Sequence, residues 1–323
     1  MLKKKKFLFV FRILITLAIL FALFKLVPYK KIIEVFKDSN KTYLVFAGLT
    51  FSSCFFLAAG RWQLLLSALG VKISFREVFY AFFSGLFFNL FFPSFVAGDV
   101  FRSLSISHCH GSKKKVASSV LMDRYSGTVG LVLIVLISYL LGRNILPDPR
   151  VLVAIAVISA GSLFLSLAIF NRAFFLFLTK VFRKNPKIEE KIISFHDQLY
   201  FFKKKPGVFL GSLVFSLLIQ LLVPISFFLT ARAFGVTLSI LYFLILVPII
   251  MVIALIPITI AGAGTREASS VYFFSLIGIS KSIGLGISLF NLILSVFLGI
   301  LGGILYVGIY HRWLQSHSSG AGS

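Results

Sequence analysis

Several apolar runs, each long enough to cross a lipid bilayer, constrain this sequence more than any other feature. The clearest runs cover residues 42–69, 116–141, 151–170, 208–232 and 284–310. A spanning α-helix needs about 20 apolar residues, because the hydrocarbon core of a bilayer is about 30 Å thick. Hydrophobic residues make up 59% of the 323 positions and charged residues 13%, so a soluble fold has no interior for them. The sequence predicts an all-α polytopic membrane protein.

A further apolar run at the N-terminus raises the expected number of spanning helices to about six. Residues 1–6 are basic and residues 7–24 are apolar. No small-x-small cleavage site follows, so we interpret this run as an uncleaved first helix whose N-terminus is cytoplasmic. We expect residues 1–315 to form one transmembrane domain and the Ser/Gly-rich residues 316–323 to form a flexible tail.

The net charge of +23 is explained by the topology of a membrane protein. Lys and Arg gather in short loops between the apolar runs, where the positive-inside bias and anionic headgroups account for them. No nucleic-acid recognition module accompanies the charge. We therefore expect a multi-pass protein of the cell (inner or cytoplasmic) membrane with both termini cytoplasmic. Its expected partner is a membrane lipid with an anionic or zwitterionic headgroup, not nucleic acid, and homo-oligomerisation is left open.

Helix-breaking residues and charges interrupt the apolar sequence at two places. In the first, Pro93 and Gly98 are followed by Asp99 and Arg102. Charge at that depth costs several kcal/mol and usually marks a substrate or ion path. Lipid tolerates broken helices only where the freed backbone faces protein or water.

The second interruption repeats this design. It contains Pro257, Gly262, Gly264, Arg266 and Glu267, and in both copies Gly follows Pro by five positions and Arg follows Pro by nine. The similarity extends upstream, because the Gly-Val pair at 70–71 precedes the first break and the Gly-Val pair at 235–236 precedes the second.

Two threadings of the first interruption are open. If the chain crosses fully, two large basic loops lie outside; if it enters, breaks and returns as a re-entrant hairpin, both stay inside, which the positive-inside bias favours. The second threading gives two re-entrant broken-helix hairpins in an inverted repeat, with copies at about 42–141 and 207–310. Inverted repeats with broken helices that meet near the midplane are typical of alternating-access transporters.

Two further segments have alternative interpretations. Asp123 and Arg124 lie inside a predicted span and point about 100° apart, so they need different partners; either they face the first break and a headgroup, or they form a solvated interfacial pair. Residues 187–202 have an apolar face at helical spacing. They are either an amphipathic helix on the inner leaflet or a linker helix packed on the bundle.

The paired breaks predict a substrate site. Arg102 and Arg266 would bind a phosphate, helped by backbone N–H groups at a new helix start. Asp99 and Glu267 would balance charge or carry a proton. Alternatively, each acid only neutralises its neighbouring arginine and fixes the hairpin.

The sequence contains little that indicates a metal site or an enzyme active site. The two cysteines, Cys54 and Cys109, occupy an apolar span and a basic loop, so we expect no structural disulfide. His108, Cys109 and His110 match no common zinc spacing, and no nucleophile elbow or phosphate loop occurs. We expect no cofactor, no metal and no intrinsic enzyme activity.

Taken together, the motifs resemble the flippase-like transmembrane domain of lysylphosphatidylglycerol synthases, also called the UPF0104 family. The resemblance rests on both broken motifs and on the Asp123-Arg124 pair, where Glu would be expected in place of Asp123. It implies an integral membrane protein that moves a phosphate-containing lipid, such as a phospholipid, an aminoacylated phospholipid or a polyprenyl-phosphate-linked lipid. We expect this chain to lack the aminoacyl-transferase domain of the full-length synthases and therefore not to synthesise the lysyl-lipid. The alternatives are a subunit of a membrane-embedded lipid-modifying enzyme and a scaffold for a lipid-modifying partner.

Overall fold

A computed structural model describes residues 14–19, 21–23, 25–27, 29–91, 96–110, 112–142, 149–179, 186–255, 259 and 262–310. Within these ranges the chain is helical and has no strand. The helices are α1 (Tyr29–Lys37), α2 (Lys41–Ala68), α3 (Phe75–Phe91), α4 (Val96–His110), α5 (Lys113–Gly142), α6 (Pro149–Phe170), α7 (Arg172–Thr179), α8 (Pro186–Tyr200), α9 (Pro206–Ala233), α10 (Ile240–Leu255), α11 (Thr265–Ser275) and α12 (Lys281–Leu305). A 3-10 turn (Phe201–Lys204) follows α8 and a π-helical turn (Tyr306–Tyr310) follows α12.

Five of these helices, α2, α5, α6, α9 and α12, are long and apolar enough to cross a membrane. Their mean hydropathy lies between 1.7 and 2.5. This confirms the predicted polytopic all-α class, and each helix coincides with a predicted span. Most of the expected first helix lies outside the described residues, although 14–19 and 21–23 are helical. The tail at 316–323 also lies outside them.

Helices α2 and α9 form an antiparallel pair at the centre of the bundle. The backbone N–H of Asn40, at the start of α2, donates to the carbonyl of Ala233, at the end of α9. Further along, Ser226 donates to the carbonyl of Ala47. Because the residue number rises along one helix as it falls along the other, the ends of α2 and α9 point to opposite sides of the bundle.

The same turn ends both central helices. Gly70 and Gly235 follow them with φ of +75° and +79°, the left-handed conformation that glycine adopts without a Cβ penalty. In each turn the next residue, Val71 or Val236, donates back to a carbonyl in the last helical turn. The sequence similarity around these glycines therefore reflects a shared backbone conformation.

A short helical hairpin follows each turn. In the first, α3 has 17 residues and α4 has 15; in the second, α10 has 16 and α11 has 11. All four are shorter than the ~20 residues of a spanning helix. Since α2 and α9 run in opposite directions, the two hairpins start from opposite ends of the bundle.

Close backbone contact holds the two helices of the first hairpin together. A Cβ added to Gly85 would lie 2.9 Å from the carbonyl of Gly98, and one added to Gly98 would overlap the carbonyl of Gly85. Asn89 accepts a hydrogen bond from the N–H of Gly98 at 2.7 Å. Gly98 thus lies in the first turn of α4, so our expectation that it breaks the helix is wrong; its missing side chain permits the contact with α3. Pro93 lies outside the described residues.

In the second hairpin, glycines form the connection to α11. Gly262 and Gly264 have φ of +70° and +90° and immediately precede the helix. They therefore lie where the sequence predicts a helix break. Pro257 lies outside the described residues.

Helix α12 joins the two hairpins through its own glycines. A Cβ on Gly302 would overlap the carbonyl of Phe83 in α3. Near the other end of α12, a Cβ on Gly284 would contact Val271 and Phe274 in α11. Small residues of this kind let helix backbones approach closely in membranes.

Helix α8 packs on the bundle through its C-terminal part, as the linker interpretation of residues 187–202 expects; a position on the inner leaflet stays a prediction. Leu199 is 6% exposed and Phe202, in the following turn, is 1% exposed. His196 is also buried; its ring stacks on Phe175 with centroids 3.6 Å apart and one ring nitrogen lies 3.1 Å from the carbonyl of Ala168. A helix lying freely on a leaflet would not bury these side chains in protein.

Candidate functional site

Five charged side chains from three helices form a continuous series of ion pairs, which we call the ion-pair chain. Its members, in order, are Arg61 (α2), Asp123 (α5), Arg102 (α4), Asp99 (α4) and Arg124 (α5). The successive N–O distances are 2.7, 2.9, 2.9 and 2.7 Å. Alternating charge of this kind reduces the cost of placing each group away from water.

Asp123 is the centre of this arrangement. It is 2% exposed; one carboxylate oxygen accepts from Arg61 and the other from Arg102. Arg61 also donates to Ser216 on α9 at 2.8 Å. The alternative of a solvated interfacial pair is therefore wrong for Asp123, which connects α2, α4 and α5 inside the protein.

Its neighbour Arg124 points elsewhere, as the 100° rotation between consecutive helical residues requires. The side chain is 48% exposed and pairs with Asp99. The chain of ion pairs therefore runs from a fully buried end at Arg61 to a partly exposed end at Arg124.

Arg102 is buried and has spare hydrogen-bond donors. It is 3% exposed, and its guanidinium carbon lies 4.4 Å from the ring centroid of Trp62 and 5.0 Å from that of Phe82. These rings interact with the cation through their π faces. One terminal nitrogen, Nη2, binds Asp99 and Asp123, while Nε and Nη1 have no hydrogen-bond partner.

The second hairpin contributes one more pair, at the start of α11. Glu267 is fully buried; its Oε2 accepts from the N–H of Gly264 at 2.6 Å, while its Oε1 accepts from Arg266 Nε at 3.0 Å and from Ser288 at 3.2 Å. Glu267 thus caps its own helix and binds α12. Nη2 of Arg266 lies 3.0 Å from the same carboxylate without forming a hydrogen bond.

A cavity of about 430 Å³ brings the two hairpins to one place. Arg61, Asp99, Arg102, Asp123 and Arg124 line it together with Arg266 of the second hairpin. The rest of its wall is mostly apolar and includes Phe51, Leu86, Val223 and Leu292. Five of the six residues predicted for the substrate site therefore face a common space, and the sixth, Glu267, binds Arg266.

Sequence reasoning missed Arg61. In the sequence, Arg61 and Trp62 lie near the end of a span, a position typical of interfacial anchors, but they are 8% and 0% exposed and so are not anchors at the interface. Arg61 lies seven residues before the end of α2, about 10 Å along its axis, too deep for bulk water. That depth is the signal that could have identified it.

Metal ligands do not gather at this site. Among the described residues, no three His, Cys, Asp or Glu side chains lie close enough to hold an ion. His108 is exposed, and the side chains of Cys109 and His110 are outside the described part of the chain. Cys54 is a buried free thiol on the cavity wall.

Comparison with known proteins identifies the family. The sequence model of the lysylphosphatidylglycerol synthase TM region matches residues 9–303. The chain belongs to this family. A UPF0104 membrane protein of Pyrococcus horikoshii is 22% identical over 85% of this chain and 90% of its own length. A UPF0104 membrane protein of Methanocaldococcus jannaschii is 23% identical over 93% of this chain and 94% of its own. Family membership agrees with the resemblance drawn from the two broken motifs.

Proposed function

We propose that this protein translocates a phosphate-containing lipid between the leaflets of a membrane, as a flippase or scramblase. The observation that carries the proposal is the cavity, which exposes four arginines to one space inside an apolar helical bundle. Buried charge is expensive in a bilayer and is typically retained where substrate passes. The apolar part of the wall would accommodate acyl or prenyl chains while the arginines bind the headgroup.

The arrangement of the hairpins supports a transport mechanism. We interpret α2 with α3–α4, and α9 with α10–α11, as the two copies of an inverted repeat, because the central helices are antiparallel and end in the same glycine turn. In alternating-access transporters such repeats move against each other around a site near the midplane. The proposed site lies between the second helices of the two hairpins, with Arg102 of α4 on one copy and Arg266 of α11 on the other.

Transport explains the site better than catalysis does. All six carboxylate oxygens of Asp99, Asp123 and Glu267 already accept a hydrogen bond or an ion pair. A general base needs a carboxylate oxygen within reach of the proton that it removes. The acids therefore serve to hold the arginines.

Reconstitution of the full chain in liposomes with fluorescent phospholipids tests the proposal. Loss of outer-leaflet fluorescence after addition of a membrane-impermeant quencher reports translocation. Arg102→Gln and Arg266→Gln are expected to slow it at least tenfold, since a lost charge-assisted hydrogen bond is worth about 1.5–3 kcal/mol. Arg76→Gln is the matched control, because Arg76 is exposed and bonds Tyr80 away from the cavity. Equal rates for all three variants and the unmodified protein would remove the proposed site.

A further inference from the structure

We infer that the cavity selects headgroups with a net negative charge, phosphate mono- or diesters, and discriminates against aminoacylated headgroups that carry extra ammonium groups. The inference rests on the proposed function only in taking this ligand as the transported cargo. It follows from hydrogen-bond donors and acceptors in the cavity, which are unequally used.

Every carboxylate oxygen of Asp99, Asp123 and Glu267 already has a partner. Asp123 uses one oxygen for Arg61 and one for Arg102, and Asp99 uses one for Arg102 and one for Arg124. Glu267 is occupied in the same way at both oxygens. An ammonium group has three donors and no acceptor, so it would have to share a carboxylate oxygen with an arginine, which places two cations side by side.

The donors, in contrast, are in excess. Nε and Nη1 of Arg102 are buried without a hydrogen-bond acceptor, and Nη2 of Arg266 has an ion-pair partner, Glu267, but no hydrogen bond. A buried donor without a partner carries a desolvation penalty, which a ligand relieves if it brings acceptor oxygens. A phosphate ester supplies them, and the guanidinium fork matches its geometry.

The formal charge of the cavity also favours anionic headgroups. Arg61, Arg102, Arg124 and Arg266 line the cavity, and the three carboxylates paired with them leave one positive charge in excess. A headgroup with one negative charge neutralises the site, whereas a cationic headgroup leaves two like charges in a low-dielectric space. Unbalanced charge is strongly disfavoured away from water.

The exposed end of the ion-pair chain gives such a headgroup an approach. Arg124 is about half exposed at its side chain and is bound by Asp99, which also binds Arg102. A phosphate that replaced Asp99 as the partner of Arg124 would next meet Arg102, whose unsatisfied nitrogens are buried and would bind it once the guanidinium turns toward the cavity. The substrate would then pass between arginines without either being left unpaired.

Competition binding on the full chain in detergent tests the inference. The probe is a fluorescent phosphatidylglycerol, and the competitors are phosphatidylglycerol, phosphatidic acid, lysyl-phosphatidylglycerol and a trimethylammonium lipid without phosphate. The two anionic lipids should displace the probe at concentrations at least about tenfold lower than the two cationic ones, the factor expected from a single charge-assisted hydrogen bond. Equal or better competition by lysyl-phosphatidylglycerol would overturn the inference.

Glycerol 3-phosphate is included to separate a lipid headgroup from a soluble phosphate ester. Weaker competition by this soluble ester than by the lipids supports a lipid ligand, and equal competition overturns it. Arg102→Gln should weaken probe binding about tenfold, with Arg76→Gln unchanged. The ranking of competitors is measured on the unmodified protein, so it does not depend on the folding of any variant.

Translocation in liposomes, run beside the binding assay, distinguishes the two proposals. Selective binding of anionic lipids without translocation would contradict the proposed function and leave the selectivity intact. Translocation that favours lysyl-phosphatidylglycerol would support the proposed function and contradict the selectivity.

Discussion

Removal of the central carboxylate of the ion-pair chain should destabilise the fold more than any loss of a neutral hydrogen bond nearby. Asp123 holds Arg61 and Arg102, whose side chains are 10% and 3% exposed. Asp123→Ala leaves both cations in place without their shared partner. The experiment therefore asks how much the protein depends on one buried carboxylate.

The magnitude follows from what each cation keeps. Breaking a buried pair by removing one partner costs about 3–5 kcal/mol. Arg102 retains Asp99 and Arg61 retains Ser216, so we expect the lower end, about 3 kcal/mol. Ser119 lies one turn earlier on α5 and accepts from Trp62 Nε1 at 3.0 Å. Ser119→Ala should cost about 0.6 kcal/mol, the average for a neutral hydrogen bond between membrane helices.

Reversible unfolding in mixed micelles measures both variants, with tryptophan fluorescence, which includes that of the buried Trp62, as the signal. In a third variant, Arg61 and Asp123 are both replaced by Met. It should be more stable than Asp123→Ala, because it removes an unpaired cation along with the carboxylate. If Asp123→Ala costs as little as Ser119→Ala, or if the double variant is the least stable, the reasoning about buried charge in this site is refuted.

Three further changes test the packing. Gly302→Ala should destabilise by about 1–3 kcal/mol through overpacking, because its Cβ would overlap the carbonyl of Phe83. The control, Gly161→Ala, should not destabilise, because no atom lies within 4 Å of the added Cβ. Equal free energies of unfolding for the two variants would contradict this. Burial holds the pKa of His196 below its ordinary 6.5, so the unfolded chain binds the proton more tightly and stability should fall as the pH drops below about 6.5. His196→Gln should flatten the dependence of Tm on pH between about 5 and 7.5, and an unchanged slope would argue against a buried neutral imidazole. Phe202→Ala should cost about 3 kcal/mol, measured by the same unfolding assay, and no loss would mean that α8 and its following turn do not pack on the bundle.

For the two hairpins, the sequence predicted the positions but not the role of every residue. Their positions were predictable, because charge and glycine inside apolar sequence are rare and costly in lipid. The role of Gly98 was not, since a glycine that breaks a helix and one that permits close packing look alike in sequence. Only the approach of the Gly85 carbonyl distinguishes them.

For the candidate site, the sequence likewise predicted most of the residues but not all of their partners. Five members of the predicted set face the cavity, and the local pairs Asp99–Arg102 and Arg266–Glu267 form, but the structure adds pairs between residues far apart in sequence. Asp99 pairs with Arg102, three residues away, and also with Arg124, while Asp123 pairs with Arg61, sixty-two positions earlier. Arg61 was not in the predicted set: its distance from the end of the span is a signal for burial, but only the structure shows that Asp123 and Ser216 are its partners.

The sequence by itself determined that this protein lies in a membrane, where five of its long helices run and the two places where charge enters the apolar interior. These properties depend on transfer from water to hydrocarbon, which is nearly additive along the chain. The tertiary structure alone decided which charges meet, which donors stay unsatisfied and that both hairpins face one cavity. Those outcomes depend on the rotation and contact of helices far apart in sequence, because a guanidinium forms a hydrogen bond only with an acceptor within about 3 Å.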